Sequence, residues 1–180
     1  MTQSRQDEGP IDEFNRTWAE YEVGFGSCSS NYWLGLEAIA ALTAGKDQEL
    51  RIELEDWTGE KRFAHYENFS VSRASDFYRL SVGGFLGGDA GDSLVNVGLN
   101  YIHNGMRFSI SDNDNDLTSS NCASTYPGGW WFNACSYSNL NGLYRDKATG
   151  NPWAGGIHWY KWKDHSSSLA KTEMKIRTKK

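Results

Sequence analysis

The sequence predicts an α+β fold in which a sheet supports a long, irregular, loop-built region. Three observations favour this fold: helical periodicity is confined to two short N-terminal segments, other segments alternate between apolar and polar residues, and residues 83–159 carry mostly turn-like signals. The 180 residues, with 14% aromatic residues and 19 glycines, have the size of one domain and a composition typical of loops rather than a helical bundle.

Two helices are predicted in the first quarter of the chain. Residues 12–24 form the first, with Asp12 as its N-cap and with Phe14, Trp18 and Tyr21 on one face. The second covers about residues 34–43 and ends at Gly45, because glycine readily adopts the conformation that follows a helix.

The strand predictions depend on alternation. Residues 49–57, ELRIELEDW, place leucine and isoleucine on one side and charged residues on the other, which indicates a half-buried strand. Residues 76–84, DFYRLSVGG, repeat the pattern, and residues 172–178, TEMKIRT, predict a closing strand. The loop-built region between them is where binding residues tend to lie when a rigid scaffold holds them.

Charge and hydropathy argue against two kinds of partner. The balance of 18 basic and 23 acidic residues gives a net charge of −5, whereas a general nucleic-acid binder needs a basic surface to neutralise phosphates. No run of apolar residues is long enough to span a bilayer, so we expect no membrane insertion.

Residues 111–123, SDNDNDLTSSNCA, carry aspartates at alternate positions: Asp112, Asp114 and Asp116. An EF-hand does not explain them, because Leu117 replaces the required glycine and Ala123 the required glutamate. Two interpretations stay open from the residues alone. The cluster is either a solvated turn that caps its own backbone or a loop that binds a hard cation such as Ca²⁺.

The sequence GDSL at residues 91–94 matches a hydrolase nucleophile motif, but the catalytic partners that the motif needs are missing. Such a serine is activated by an aspartate and a histidine, commonly spaced as D-x-x-H. The residue three before His165 is Trp162, and the residue three before His158 is Gly155. We therefore predict that the protein is not an enzyme.

Several longer stretches occur in an order that resembles fibrinogen-related domains, the C-terminal modules of fibrinogen, ficolins and tachylectins. They are WAEYEVGFGSCSSNYWLGL, LRIELEDWTGEKRFAHYENFSV, AGDSL, CASTYPGGWWFNACSYSNLNG, GGIHWYKW and KTEMKIR. The resemblance runs from about residue 3 to the end and lacks only the family's small N-terminal subdomain. It implies one domain over residues 1–180, with a twisted, mostly antiparallel sheet and short helices. The sheet region would cover about residues 12–110 and 160–180, and the calcium- and ligand-binding loops about residues 111–159.

The resemblance also implies a calcium site. Its ligands would be the carboxylates of Asp114 and Asp116 and the main-chain carbonyls of Thr118 and Ser120, completed by water. Asp112 would then order the loop instead of binding the ion. Ca²⁺ is the one cofactor that we expect.

Of the three cysteines, the resemblance pairs Cys122 with Cys135 beside the calcium loop, which implies an oxidising and extracellular setting. We therefore expect a secreted protein. Sequons at Asn15 and Asn68 are compatible with secretion. Cys28 has no family partner, and three states stay open for it: a buried free thiol, an interchain link, or a bond to a cysteine outside this chain.

A ligand pocket is implied at the second cysteine. Family members that bind acetylated sugars have a cis peptide bond at the position of Ala134–Cys135, which directs the amides of Cys135 and Ser136 at an acetyl oxygen. The predicted ligand-binding residues are Tyr126, Cys135, Ser136, Trp153, Ala154 and His165. Tyr126 and Trp153 would be walls, Ala154 the floor and His165 a third ring, as in a small apolar site with few polar groups.

Two departures from the family pattern bear on the ligand. Ser136 replaces the histidine that usually follows the second cysteine, so the sugar preference is left open, although the backbone amide remains. Ala154 stands where members that capture a peptide's N-terminal amine have an aspartate, so a neutral acetyl group is favoured over an amine.

The sequence thus predicts calcium-dependent, lectin-like recognition of acetylated glycans, such as N-acetylglucosamine on microbial polymers or chitin, in innate-immune pattern recognition. Because one shallow site binds weakly, we expect homo-oligomers that gain avidity. The alternative is a protein–protein interaction module of the same fold, a receptor ligand or matrix component, in which no sugar is bound.

Overall fold

The computed structural model describes residues 1–6, 14–95, 98, 101–145, 155–165 and 167–179. The strands described are β1 Gln3–Arg5, β2 Phe25–Gly26, β3 Tyr32–Trp33, β4 Gln48–Glu55, β5 Lys61–Val71, β6 Leu80–Gly87, β7 Ser138–Asn139, β8 His158–Trp159 and β9 Lys171–Thr178. The α-helices described are α1 Trp18–Val23, α2 Leu36–Thr43, α3 Cys122–Thr125 and α4 Tyr160–Lys163, with a 3₁₀ turn at Ala74–Asp76.

Seven of these strands form one sheet in the order β2-β3-β1-β9-β4-β5-β6, and every neighbouring pair is antiparallel. The prediction of a mostly antiparallel sheet with short helices is confirmed. The C-terminal strand β9 lies inside the sheet, between β1 and β4, with Met174 opposite both Gln3 and Ile52. β7 and β8 form a separate two-stranded ladder within the loop region.

Strand β4 has the alternation that its sequence predicts. Leu50, Ile52 and Leu54 are buried, and the residues between them are partly exposed on the other face. On that face Glu53 accepts hydrogen bonds from Lys175 at 2.5 Å and Arg51 at 3.0 Å. These cations lower the pKa of Glu53 to about 2. The sheet therefore presents one apolar face to the core and one ion-paired face to solvent.

The first helix is shorter than predicted, because its N-cap is Thr17 and not Asp12. Thr17 and Glu20 form a capping box, in which the Glu20 carboxylate accepts from the Thr17 amide at 2.8 Å. Residues 14–17 precede the helix, so the predicted start was wrong; Asp12 lies outside the described residues. Phe14 is still buried, and its carbonyl accepts a hydrogen bond from the Tyr21 hydroxyl at 2.8 Å.

The predicted strand over residues 76–84 starts later and runs further. Phe77 and Tyr78 have φ values of 52° and 51°, which interrupt the extended backbone, so β6 begins at Leu80 and continues to Gly87. Tyr78 is nevertheless fully buried. The second helix is confirmed over Leu36–Thr43, and Gly45 follows it with a φ of 64°.

Buried aromatic residues attach the loop region to the sheet. Phe108 lies at their centre, with its ring centroid 5.9 Å from Trp33 and 5.3 Å from Trp131. The indole of Trp131 donates to the Tyr78 carbonyl at 2.8 Å, which satisfies its one polar atom. Irregular backbone is therefore held by a rigid, mostly aromatic core, and the candidate site lies in this backbone.

Candidate functional site

Asp116 organises the turn that carries the predicted calcium ligands. One oxygen of its carboxylate accepts from the Thr118 amide at 2.8 Å and from the Thr118 hydroxyl at 3.1 Å. The other oxygen accepts from the Cys122 amide at 2.7 Å. Since hydrogen bonds to a carboxylate are stronger than those between neutral groups, Asp116 fixes residues 116–122 as one unit.

Asp114 lies against Asp116, and its carboxylate accepts from the Asp116 amide at 3.1 Å. Partial burial, followed by the negative charge of Asp116, raises the pKa of Asp114. The Thr118 hydroxyl donates to the Ser120 carbonyl, so Asp114, Asp116, Thr118 and Ser120 share one turn. Two carboxylates with main-chain oxygens nearby are a donor set that suits a hard cation. Within the described part of the chain, no group of three or more His, Cys, Asp or Glu side chains could hold a metal, so such an ion would also need carbonyl and water ligands.

Asp112 does something different from the other two aspartates. Its two carboxylate oxygens lie 3.1 and 3.2 Å from the amide of Trp18, the first residue of α1. The contact places negative charge at the end of the helix where amides are unpaired. Asp112 therefore ties the aspartate loop to a helix that lies 94 residues earlier in the chain.

The predicted disulfide between Cys122 and Cys135 is confirmed, with their Cα atoms 5.6 Å apart. It joins the aspartate turn to the segment that carries the predicted amide pair. A second connection runs through Asn133, whose carbonyl accepts from the Leu117 amide at 3.2 Å and whose amide donates to the Cys135 carbonyl at 2.8 Å. The peptide bond between Ala134 and Cys135 is cis, as expected.

His158 contacts the side chain of Ser136, one of the two residues that carry the amide pair. Its Nε2 lies 3.2 Å from the Ser136 hydroxyl, and its Nδ1 lies 3.1 Å from the Gly156 carbonyl. Burial, and then the neighbouring His165, lower the pKa of His158 to about 3, so the ring is neutral. With Nδ1–H donating to Gly156, Nε2 accepts from the Ser136 hydroxyl. Among the described residues, neither the Cys135 nor the Ser136 amide donates to a protein acceptor.

The remaining predicted ligand-binding residues are brought together only in part. The His165 ring lies 5.0 Å from the His158 ring, which links it to Ser136. Tyr126 is partly buried and lies beside Gly155, where an added Cβ would be 3.3 Å from the Tyr126 Cα. Trp153 and Ala154 lie outside the described residues.

A second neutral histidine, His103, holds the backbone of the two residues that follow Ser136. His103 is fully buried, and its Nδ1 donates to the Trp131 carbonyl at 2.8 Å. Its Nε2 accepts from the amides of Tyr137 at 3.2 Å and Ser138 at 3.1 Å. Burial lowers the pKa of His103 to about 4, so this arrangement persists at neutral pH. The ring fixes the two residues that follow Ser136.

Sequence reasoning missed two features of this region. His158 was considered only as a partner of the GDSL serine, although it contacts Ser136. A stack of three tyrosines, Tyr101, Tyr137 and Tyr160, was not predicted because its members come from separate segments. No spacing pattern in the sequence signals a contact between residues so far apart.

The GDSL sequence forms a buried turn. Ser93 has no exposed surface, and its hydroxyl accepts from the Lys161 amide at 3.0 Å. Asp92 accepts from the Tyr66 hydroxyl at 2.7 Å and from the Leu94 amide at 2.9 Å. Both side chains therefore hold local structure together.

Two further features lie away from the amide pair. A cavity of about 500 Å³ on the solvent face of the sheet includes Arg51, Glu53 and Glu173, and Glu53 is already hydrogen-bonded to Arg51. Cys28 is exposed and forms no disulfide, so the alternative of a buried thiol was wrong.

No helix in the described ranges has both the length and the apolar character needed to cross a bilayer.

This sheet, with its disulfide-braced loop region, is a fibrinogen-like globe. Residues 1–179 match the family described as fibrinogen beta and gamma chains, C-terminal globular domain, and the chain belongs to that family. The fibrinogen-like globe domain of human ANGPTL6 superposes with a TM-score of 0.86 at 42% identity, covering 99% of this chain and 77% of that one. Lamprey fibrin D-dimer, complexed with the peptide Gly-His-Arg-Pro-amide, gives 0.86 at 35% identity, covering 97% and 59%.

Two curated relatives are similar over nearly the whole chain. Techylectin-5A of Tachypleus tridentatus is 40% identical over 168 residues, which are 93% of this chain and 55% of the relative. Microfibril-associated glycoprotein 4 of Bos taurus is 43% identical over 169 residues, which are 91% of this chain and 64% of the relative. The chain thus spans between about half and two thirds of the length of these relatives.

Proposed function

We propose that this domain recognises acetylated glycans in a calcium-dependent, lectin-like manner, with N-acetylglucosamine-type groups of microbial polymers or chitin as ligands. The observation that carries the proposal is the backbone at Cys135 and Ser136. The amides of Cys135 and Ser136 are consecutive and have no protein acceptor among the described residues. Paired amides of this kind suit one carbonyl oxygen, such as that of an acetyl group. The relative Techylectin-5A is a lectin by its name.

The aspartate turn would bind Ca²⁺ through Asp114, Asp116 and the carbonyls of Thr118 and Ser120. The ion would supply positive charge that offsets the repulsion between the two carboxylates, which adds to the effect of burial in raising the pKa of Asp114. Asp116 transmits this order to the binding segment, because its carboxylate accepts from the Cys122 amide and Cys122 is bonded to Cys135. Calcium is thus proposed to brace the pocket without contacting the sugar.

Ser136 replaces the histidine that the family usually has at this position, but His158 supplies an imidazole ring nearby. The Ser136 side chain is hydrogen-bonded to a buried, neutral imidazole, so its position is fixed although the residue is small. The site therefore keeps a ring close to the amide pair, supplied from β8. We propose that His158 and His165 shape one side of the ligand pocket together with Tyr126; Trp153 and Ala154 remain predicted members of the site from the sequence alone.

The same fold supports a second candidate function, that of a protein–protein interaction module in which no ligand binds the amides of Cys135 and Ser136. The similarity to microfibril-associated glycoprotein 4, whose name states an association with microfibrils, and to lamprey fibrin D-dimer in complex with a peptide supports it. Fibrinogen-like globe domains are generally recognition modules and not enzymes. We propose recognition here as well, in a secreted protein that gains avidity as a homo-oligomer.

Calorimetry with N-acetylglucosamine, in calcium and in EDTA, tests the leading proposal. We expect binding in calcium, weaker binding in EDTA, and none to glucosamine, which lacks the acetyl oxygen. Asp116→Asn should weaken binding in calcium, whereas Asp47→Asn, an exposed acid outside the loop, should not. A folded, calcium-loaded protein that ignores N-acetylglucosamine would favour the protein-interaction module instead.

A further inference from the structure

Three tyrosines form a parallel stack on the surface of the loop region. The Tyr137 ring lies between Tyr101, at 4.3 Å and 4° between planes, and Tyr160, at 4.0 Å and 8°. All three are partly exposed, whereas other tyrosines such as Tyr21 and Tyr66 are fully buried. The stack therefore exposes aromatic surface in a chain that otherwise buries most of its large rings.

The backbone holds this stack in one arrangement. The Tyr160 amide donates to the Tyr137 carbonyl at 2.8 Å, and the Tyr137 amide donates to the buried His103 ring at 3.2 Å. Tyrosine has few rotatable bonds, so rings fixed in this way lose little entropy when a ligand packs against them.

The stack is continuous with the amide pair of the proposed acetyl pocket. Tyr137 directly follows Ser136 in the chain. The His165 ring lies 5.0 Å from Tyr160 and 5.9 Å from Tyr137, and it also contacts His158, which is hydrogen-bonded to Ser136. A row of rings thus leads away from the point where an acetyl group would bind.

The chemistry of this row suits a neutral, amphipathic ligand. Both faces of Tyr137 are covered by its partners, so the surfaces that the stack can offer a ligand are the outer ring faces of Tyr101 and Tyr160 and the hydroxyls at the ring tips. His165 is neutral as well, because burial lowers its pKa. A pyranose ring has the matching character, since its C–H groups form an apolar face and its hydroxyls lie at the rim. A charged ligand would find no opposite charge on these four side chains.

We propose that Tyr101, Tyr137 and Tyr160, joined to the acetyl pocket by His165, form a second subsite, which packs against the sugar next to the acetylated one. The proposal rests on the proposed lectin function and deepens it, because it makes the ligand class an N-acetylated oligosaccharide of two or more residues. The monosaccharide would then occupy only part of the site.

Calorimetry in calcium with N-acetylglucosamine and its β-1,4-linked trisaccharide tests this proposal. Three equivalent acetyl groups give a statistical gain of about threefold, so we expect the trisaccharide to bind at least about tenfold more tightly than the monosaccharide. Tyr160→Ala should abolish the gain above threefold and leave the monosaccharide affinity unchanged, whereas Tyr160→Phe should retain the gain. Phe85→Ala, at an exposed ring on the edge strand β6, is the matched control and should behave as the wild type.

The outcomes separate the two proposals. If the wild type binds the monosaccharide but the trisaccharide gains no more than threefold, the second subsite does not exist and the lectin function stands. If Tyr160→Ala and Tyr101→Ala, at the two ends of the stack, both retain the full gain, the second subsite likewise does not exist and the lectin function stands. If the folded wild type binds neither sugar, the lectin function fails and the subsite fails with it.

Discussion

The two aspartates of the proposed calcium site should respond differently to mutation when no calcium is present. Asp116→Ala removes the acceptor of three hydrogen bonds, from the Thr118 amide, the Thr118 hydroxyl and the Cys122 amide. At about 1 kcal/mol for each net hydrogen bond, we expect a loss of about 2–4 kcal/mol in the free energy of unfolding. Asp114→Ala removes one acceptor, at 3.1 Å, together with a like charge beside Asp116. These effects oppose one another, so we expect a change below about 1 kcal/mol.

In calcium, the free energy of unfolding of Asp114→Ala should fall below that of the wild type, although the two are similar in EDTA. A ligand at 100 times its dissociation constant stabilises the folded state by about 2.7 kcal/mol, and both variants should lose this gain. Urea unfolding followed by fluorescence of the eight tryptophans, in EDTA and in calcium with the disulfide oxidised, measures both quantities. Equal destabilisation by the two substitutions in EDTA, or calcium stabilisation of either variant equal to that of the wild type, would refute the reasoning.

Further predictions concern the core, the helix cap and pH. Trp131→Ala should lower the free energy of unfolding by about 3–5 kcal/mol, because Trp131 is 1% exposed and its indole is hydrogen-bonded. The midpoint of urea unfolding measures this loss, and a loss below about 1 kcal/mol would contradict the prediction. Thr17→Ala should cost about 1 kcal/mol through the capping box, whereas Thr17→Ser should be almost neutral in thermal unfolding. The pKa of His103 is about 4 in the folded protein, below its value in the unfolded chain. The contribution of His103 to stability is therefore complete above about pH 6.5 and is lost as the pH falls from about 6.5 to 4, by up to about 3 kcal/mol. His103→Asn should reduce, without abolishing, the pH dependence of the urea midpoint in that window, because His158, with a folded pKa of about 3, contributes over the same range. An unchanged slope would contradict the contribution of His103.

The sequence was most informative where one periodicity persists. β4 was predictable because Leu50, Ile52 and Leu54 all face the core without interruption. β5 was not, because the register shifts between His65 and Tyr66 and two exposed residues separate Tyr66 from Phe69. A β-bulge breaks the period of two on which such predictions depend.

The candidate site was predictable where resemblance supplied a motif and not where the contact is long-range. The disulfide and the cis peptide bond followed from residues 122–135, a short stretch of specific sequence. The start of α1 was misplaced because Thr17, with Glu20 three residues later, gives a better cap than the earlier aspartate. The contact between His158 and Ser136 and the tyrosine stack result from the tertiary fold, for which no local propensity exists.

The place of β9 has a consequence for how the chain acquires its structure. Strand β9, Lys171–Thr178, enters between β1 and β4, so the strands that surround it cannot complete their ladders until this segment has left the ribosome. Contacts such as Gln3 with Met174 close a loop of almost the whole chain, and such topologies fold slowly because closure costs entropy before the contacts form. We therefore expect this domain to complete its fold only after residues 171–178 have emerged, and a nascent chain arrested before Lys171 to remain sensitive to protease.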